Sequence, residues 1–334
     1  MNQSVEELWQ NEKRNRRKIV MWIILIAFIA LFLFAVLSFW ITQPLFSTSQ
    51  TSTNVSVNPY KLQSHVEKLS NEFYPRNCNS IVNLNKTADY IKAEFEKSGG
   101  KVSVQTFQVN GNDYQNIIAI FGDETVERIV VGGHYDSAFE THGADDNASG
   151  VAGLIELAYL LGQNKPTKQV ELVAYTLEEP PFFATEQMGS YIHAKSLKDN
   201  DVKVSLMISL EMIGYFSDEP NSQKFPVSLL SLFYPNKGNF AVIVGNFTNI
   251  STTRNLKFAM NGDVPVYSAN VPSFINGVDF SDHRNYWNFG YNAVMITDTA
   301  FYRNFNYHTK NDTAEKLDYA KMAKIVECVY NFVK

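Results

Sequence analysis

Cysteine and basic charge are both scarce in this chain of 334 residues. The only cysteines are Cys78 and Cys328, too few for a cysteine-rich zinc site or a dense disulfide framework. Asp and Glu outnumber Lys and Arg by 34 to 29, which leaves a net charge of −5. Proteins that bind nucleic acid are usually basic, so we expect no nucleic-acid partner. Hydrophobic residues make up 45% of the chain, which excludes an intrinsically disordered protein.

One stretch near the N-terminus has almost no polar residues. Between Ile19 and Ile41 only Ser38 is not apolar. As a helix this run would measure about 34 Å at about 1.5 Å per residue, enough to cross a hydrocarbon core of about 30 Å. A cleaved signal peptide has a shorter apolar core that ends in small residues. Because this run is longer and ends in bulky residues, we predict an uncleaved membrane anchor.

Charge predicts the orientation of this anchor. Five basic residues precede it, namely Lys13, Arg14, Arg16, Arg17 and Lys18, and no charge lies between Thr42 and Tyr60. The positive-inside rule therefore places residues 1–18 in the cytoplasm as a tail and 19–41 in the membrane. Residues 42–58 are rich in Ser, Thr and Asn and read as a linker. We expect residues 59–334 to form one domain outside the cytoplasm, in the periplasm or on the cell surface.

Strand-like and helix-like segments alternate in this outer domain. The pattern predicts an α/β fold with a mixed, mostly parallel sheet covered on both faces. Predicted strands cover Lys101–Val109, Asn116–Phe121, Arg128–Gly132, Gln169–Leu177, Val204–Leu210, Ala241–Gly245 and Ala293–Thr297. Predicted helices cover Tyr60–Phe73, Leu84–Lys97, a segment after an N-cap at Ser149, Glu186–Leu197 and Thr313–Val333.

Acidic and imidazole side chains follow several of these strands. In sheets of this kind, ligands bind at the carboxyl ends of strands. Each residue alone has an ordinary structural explanation, such as a core histidine, a helix cap or a solvated loop. Together, several acids and two imidazoles at one edge would repel one another without a cation, and this ligand mixture suits zinc. The acids and imidazoles are His134, Asp136, Asp146, Glu178, Glu179, Glu211 and His308, and Tyr307 directly precedes the last of them.

The spacing of these residues resembles the co-catalytic dizinc aminopeptidases. This family includes secreted bacterial leucyl aminopeptidases and aminopeptidase Y, with glutamate carboxypeptidases and glutaminyl cyclases as more distant relatives. The phrases that carry the resemblance are Gly-His-Tyr-Asp-Ser from Gly133, Gly-Ala-Asp-Asp-Asn-Ala-Ser-Gly from Gly143, and Ser281-Asp282-His283. The resemblance covers almost the whole outer domain and implies a three-layer zinc-exopeptidase-like sandwich.

The resemblance also implies roles for the site residues. Asp146 would bridge two Zn2+ ions, with His134 and Glu211 completing one site. Glu179 and His308 would complete the other, and the family usually has Asp where Glu211 stands. The implied general base is Glu178, and the implied partner that orients His134 is Asp136. Tyr307 is either a hydrogen-bond donor to the reacting carbonyl or an ordinary packed tyrosine.

The implied activity is removal of N-terminal residues from peptides with a free N-terminus, by a water that two zinc ions activate. One alternative is a glutaminyl cyclase-like acyltransferase with one zinc, which would lack the loop around Asp146. Another is a catalytically silent binding ectodomain, which would lose ligands or the base. Because all of these positions are filled here, we favour the hydrolase.

Three further features have two interpretations each. Cys78 and Cys328 form a disulfide or are unrelated thiols. The apolar cluster Phe225, Leu229, Leu230, Phe233 and Tyr234 lines a side-chain pocket or packs in the core. Asn147 begins an Asn-x-Ser triplet beside Asp146, where a glycan would block the site. Either Asn147 is hidden or the host does not glycosylate such triplets, and the second explanation favours a bacterial protein.

Overall fold

The computed structural model describes residues 4–42, 55–124 and 127–334. Its first element is a long helix, α1 (Val5–Thr42), which contains the predicted span and begins well before it. By length and composition α1 could cross a membrane, and its apolar window is not buried in the protein. Most of the predicted linker lies outside the described residues.

Eight strands form one sheet, and the sequence predicts seven of them. They are β1 (Lys101–Val109), β2 (Asn112–Phe121), β3 (Glu127–His134), β4 (Gln169–Tyr175), β5 (Lys203–Glu211), β6 (Ala241–Gly245), β7 (Val266–Asn270) and β8 (Ala293–Thr297). The spatial order is β1-β2-β4-β3-β5-β8-β6-β7. The central strands β4, β3, β5 and β8 are parallel, whereas β1, β2 and β6 each pair antiparallel with a neighbour. The predicted mixed, mostly parallel sheet is therefore confirmed.

Helices cover both faces of the sheet. After α1 they are α2 (Pro59–Glu67), α3 (Ile81–Lys97), α4 (Gly150–Gln163), α5 (Gly189–Asp199), α6 (Ile250–Ala259), α7 (His283–Asn288) and α8 (Tyr319–Val333). Along β3, Val131 joins the core that contains α2, α3, α4 and α8, whereas its neighbour Val130 joins the core under α5 and α7. Successive strand residues thus face opposite layers, which explains the continuous apolar runs.

Several local predictions differ from the structure. Ser149 makes no capping bond, because its hydroxyl donates to the Asp145 carbonyl (2.8 Å) and accepts from the Ile213 N–H (3.0 Å). The last helix begins at Tyr319 rather than Thr313, since Asp318 accepts the Lys321 N–H (3.0 Å) and starts it there.

Between β6 and β8 the structure contains α6, β7 and α7, which the sequence analysis did not predict. The predicted helix from Glu186 begins at Gly189 instead. Cys78 and Cys328 are both free thiols, so the disulfide interpretation is wrong.

Candidate metal centre

The predicted ligands converge on one edge of the sheet because parallel strands end there together. His134 is the last residue of β3 and Glu211 the last residue of β5. Glu178 and Glu179 follow β4, and Asp146 lies in the turn that leads into α4. The sixth residue, His308, comes from the long connection between β8 and α8. The structure therefore brings together all the residues that the sequence analysis selected as metal ligands.

Asp146 lies between the two imidazoles. Its Oδ1 is 3.3 Å from Nε2 of His134, and its Oδ2 is 3.1 Å from Nε2 of His308. Glu211 Oε2 lies 3.4 Å from the His134 nitrogen, and Glu179 Oε2 lies 3.1 Å from the His308 nitrogen. The site therefore consists of two imidazole–carboxylate pairs that share one central carboxylate.

The donor atoms at this site fit a divalent metal. Nε2 of both histidines, Oδ2 of Asp146 and Oε1 of Glu179 are buried and have no hydrogen-bond partner among the described residues. The nitrogen and oxygen atoms are close, but their relative orientation is not that of a hydrogen bond. Burying polar atoms without partners costs free energy. Ligand atoms of His134, Asp146 and Glu179 all lie within 4.8 Å of one another. Imidazole and carboxylate donors aimed at a shared space are those that zinc prefers.

Burial and crowding shift the titration of these groups. Burial raises the pKa of Glu178 well above its ordinary value, and burial together with Asp146 raises the pKa of Glu179 to about 8. Burial alone would lower the pKa of His134, but Glu211 and Glu178 raise it well above the ordinary value. Glu178 and Glu179 therefore resist ionisation and His134 resists deprotonation, whereas the two histidines lower the pKa of Asp146 between them.

Asp136 contacts three of the predicted site residues, Glu178, Glu179 and His134. Its carboxylate accepts the N–H groups of Glu178 (3.2 Å) and Glu179 (3.1 Å). Nδ1 of His134 lies 3.1 Å from the Asp136 main-chain carbonyl and 3.5 Å from its carboxylate. The predicted contact between Asp136 and His134 therefore exists, but the closer oxygen is the carbonyl.

The loop that carries Asp146 is held at both ends. The Asp312 carboxylate accepts the Asp146 N–H at 3.0 Å, a contact that the sequence analysis missed. Asn147 is completely buried, donates to the Leu210 carbonyl (2.8 Å) and accepts the Met212 N–H (3.0 Å). Asn147 thus fastens the Asp146 loop to the end of β5, and the Asn-x-Ser triplet is hidden in the folded chain.

A second residue that the sequence analysis missed is Arg76. It is completely buried and donates to the carbonyls of Leu69 (2.8 Å), His142 (2.7 Å) and Gly143 (2.8 Å). Because Arg76 bonds main-chain oxygens, no residue pattern reveals its partners. It fixes the turn at Gly143, whose φ of +56° is left-handed and favours glycine.

The motif Ser281-Asp282-His283 lies behind Glu211. The Ser281 hydroxyl donates to Glu211 Oε2 at 2.8 Å and so holds the longer side chain in place. Both Asp282 carboxylate oxygens are buried and have no hydrogen-bond partner within the described part of the chain, and burial raises the Asp282 pKa to about 7. The motif therefore supports a predicted ligand.

Three residues at or beside the site have left-handed backbone. Leu177 before Glu178, Met212 after Glu211, and His308 itself have φ values of 59°, 47° and 55°. Non-glycine residues rarely adopt such φ values. The residues that do adopt them are often found at functional sites.

An apolar cleft opens beside the candidate metal centre. Glu211 and Tyr307 line its inner end, and the Tyr307 ring stacks on His308 with centroids 3.8 Å apart. Phe225, Leu230 and Tyr234 line its wall, so the pocket interpretation of these residues is supported.

The family model for peptidase family M28 matches residues 116–333. The chain therefore belongs to this family, whose relatives include a probable zinc metalloprotease. The *Escherichia coli* protein YfbL is 46% identical over 316 residues, covering 92% of this chain and 97% of that protein. *Bacillus subtilis* aminopeptidase YwaD is 29% identical over 103 residues, 30% of this chain and 22% of that protein.

The fold also matches solved structures. A *Bacteroides thetaiotaomicron* glutaminyl cyclase has a TM-score of 0.64 and 16% identity, covering 84% of this chain and 99% of that chain. At this identity the likeness concerns the fold, which agrees with the predicted three-layer α/β architecture.

Proposed function

We propose that the chain is a membrane-anchored zinc exopeptidase that removes N-terminal residues from peptides. The observation that carries this proposal is the central carboxylate of Asp146, which faces two imidazoles, each with a further acid beside it. The similarity to an aminopeptidase supports the choice of peptides with a free N-terminus as substrates.

The proposed topology follows the charge pattern around α1. Residues 1–18 form a cytoplasmic tail, 19–41 a membrane span, 42–58 a linker and 59–334 the peptidase domain. The catalytic domain then lies outside the cytoplasm of a bacterial cell, in the periplasm or on its surface. The *Escherichia coli* relative, aligned over almost the whole chain, supports a bacterial source.

Two Zn2+ ions are proposed to share Asp146. His134 and Glu211 would hold one of them, and Glu179 and His308 the other. Bound zinc supplies Lewis acidity, which makes water a stronger acid and polarises a carbonyl group.

The residues beside the ligands complete the proposed chemistry. Glu178 is only 6% exposed, and its Oε2 lies 3.8 Å from Nε2 of His134. It would take a proton from the attacking water and deliver it to the leaving amine nitrogen. Asp136 holds the Glu178 main chain in place. Tyr307 would donate a hydrogen bond to the carbonyl oxygen as negative charge develops there.

The experiment that tests this function is Glu178→Gln in the full chain. We expect turnover of aminoacyl anilides and short peptides to fall by about 10²–10⁴-fold, because the substitution removes the base. Elemental analysis should still find two zinc ions per chain. The matched control is Glu186→Gln, which changes an exposed glutamate in the same connection.

Other results would change the assignment. Near-normal turnover of Glu178→Gln would remove Glu178 as the base. Cyclisation of N-terminal glutamine with one zinc per chain would favour the acyltransferase, whose fold this chain shares. A wild-type chain that binds no zinc would favour a silent binding domain.

A further inference from the structure

The last turns of α1 pack against the outer domain. Ser38 and Thr42 are only 4% and 1% exposed. The Thr42 carbonyl accepts hydrogen bonds from Lys257 Nζ (3.1 Å) and from the Ser268 hydroxyl in β7 (2.6 Å). Carbonyls at the end of a helix have no partner within the helix. The domain supplies partners here and thereby fixes the end of α1 against the edge of the sheet.

The contact continues along α1 towards the membrane. The Phe34 ring lies 5.4 Å from the Phe233 ring, and the Trp40 ring lies 5.6 Å from the Phe247 ring, measured between centroids. Phe34 precedes Thr42 by about two helical turns, which is about 12 Å along the axis. A strip of domain surface therefore runs beside the last 12 Å or so of the apolar helix.

Helix length places this strip at the depth of the bilayer. The apolar residues before Phe34, from Ile19 onwards, would extend only about 22 Å, less than a hydrocarbon core of about 30 Å. The turns from Phe34 onwards are needed to complete the span. The domain surface beside those turns must therefore lie at the same depth.

The domain surface beside the end of α1 exposes apolar side chains, as expected of a surface that contacts lipid. Val227, Leu229 and Leu232 lie on or next to a 3₁₀ turn (Ser228–Leu232) and are 44%, 46% and 67% exposed. Phe247, which contacts Trp40, is 45% exposed. Exposed apolar residues grouped beside a membrane span are typical of an interaction surface and not of a surface that faces water.

We propose that residues 227–232, the docking segment, insert into the outer interfacial layer of a phospholipid bilayer. This inference rests on the proposed membrane anchor. The partner is lipid because the segment continues the apolar surface of the span at the same depth. Leu230, on the inner side of the segment, lines the cleft beside the metal centre. One wall of the substrate cleft then lies at the lipid surface.

Photocrosslinking of the full chain tests this proposal. The photoreactive residue p-benzoylphenylalanine replaces Leu232, and the protein is placed in nanodiscs of phosphatidylethanolamine and phosphatidylglycerol. The positive control is the same replacement at Leu31 within the span. The matched negative control is Val82, which is 69% exposed and lies on α3, beside β1 and β2 at the opposite edge of the sheet. Intact mass spectrometry after irradiation measures the phospholipid adduct at each position.

We expect adducts at Leu31 and Leu232, with several-fold less at Val82. An adduct at Leu31 with no more at Leu232 than at Val82 would overturn the docking segment and leave the anchor intact. The absence of adducts at both Leu31 and Leu232 would overturn the anchor and the docking segment together. Leu229 serves as a second position if the Leu232 variant fails a thermal unfolding check, and the same criteria apply there.

Discussion

Two of the buried clusters that combine carboxylates with imidazoles have different partners. In the first cluster, Glu171 of β4 accepts from Arg128 (2.6 Å) and lies 2.8 Å from Nε2 of His193. The other ring nitrogen of His193 lies 2.6 Å from the Tyr286 hydroxyl, so both nitrogens have partners. At the metal centre, Nε2 of His134 has no hydrogen-bond partner among the described residues.

The carboxylate pKa values in the two clusters are shifted in opposite directions. Burial alone would raise the pKa of Glu171, but His193 and Arg128 lower it to about 2. Burial and Asp146 raise the pKa of Glu179 to about 8. The first cluster is neutralised by charges of the chain itself, which is what a structural ion pair requires. The second cluster needs a cation from outside the chain, which distinguishes a candidate functional site from a structural one.

The largest expected effect comes from removing the shared carboxylate. Asp146→Ala should abolish binding of both zinc ions, because both proposed sites use this residue. Activity should fall by more than the roughly 10²–10⁴-fold that loss of a general base costs. Elemental analysis and peptide hydrolysis measure these effects. Retention of two zinc ions would show that Asp146 is not shared.

The complementary change breaks the structural cluster. Glu171→Gln should lower the free energy of unfolding by about 3 kcal/mol, because it leaves a largely buried Arg128 without its carboxylate. Zinc content and turnover per folded molecule should stay unchanged. Denaturant unfolding and elemental analysis test both statements, and a loss of zinc would mean that the two clusters are coupled.

The two clusters should also respond to pH in opposite directions. The folded-state pKa of Glu171 lies below its unfolded value, so its stabilisation is present above about pH 4.5 and is lost towards pH 2. The folded-state pKa of Glu179 is raised, so zinc-free protein should lose stability as pH rises from about 4.5 to about 8.

Unfolding of chelator-treated protein between pH 5 and pH 8 measures this loss, to which other buried groups such as Glu178 also contribute. The difference between wild type and Glu179→Gln gives the Glu179 contribution. Its slope is at most about 1.4 kcal/mol per pH unit for one group. Glu179→Gln should flatten this slope, whereas Glu171→Gln should not. An equal slope in zinc-free wild type and Glu179→Gln would contradict the assignment.

The smallest expected effect concerns support of a single ligand. Ser281→Ala removes the hydrogen bond to Glu211 and should weaken zinc binding at that half of the site by about tenfold. Competition with a chelator of known affinity measures this change. Ser205→Ala is a suitable control, since its hydroxyl donates to the Arg128 carbonyl and to no predicted ligand among the described residues. Equal affinities of the two variants would assign Ser281 a packing role.

The sequence predicts the central part of this fold well because strands buried on both faces have unmistakable apolar runs. Those runs predict where β3 and β5 end. They therefore also predict that His134 and Glu211, the last residues of these strands, lie close together. The region from α6 to α7 is different. β7 is only five residues long and its burial is uneven, so its apolar pattern is weak.

The supporting residues could not be predicted for another reason. Asp312 contacts the main chain of Asp146 across 166 residues, and Arg76 contacts carbonyls that every residue carries. Ser149 has the residue type and position of a helix cap, yet a tertiary contact with Ile213 uses its hydroxyl instead. Periodicity and spacing reveal which side chains are near a strand end, but not which distant segment holds them there.

The capped end of α1 bears on how a soluble form of this protein should be made. Cutting the chain after Thr42 would remove the carbonyl that Lys257 and Ser268 contact, and would uncover the outer edge of β7. An uncovered strand edge is a template for pairing between molecules. The end of α1 therefore stabilises the domain, in addition to the membrane anchoring proposed for this helix. A useful truncation would keep the turn around Ser38 and Thr42 and replace the exposed apolar side chains beside it with polar ones.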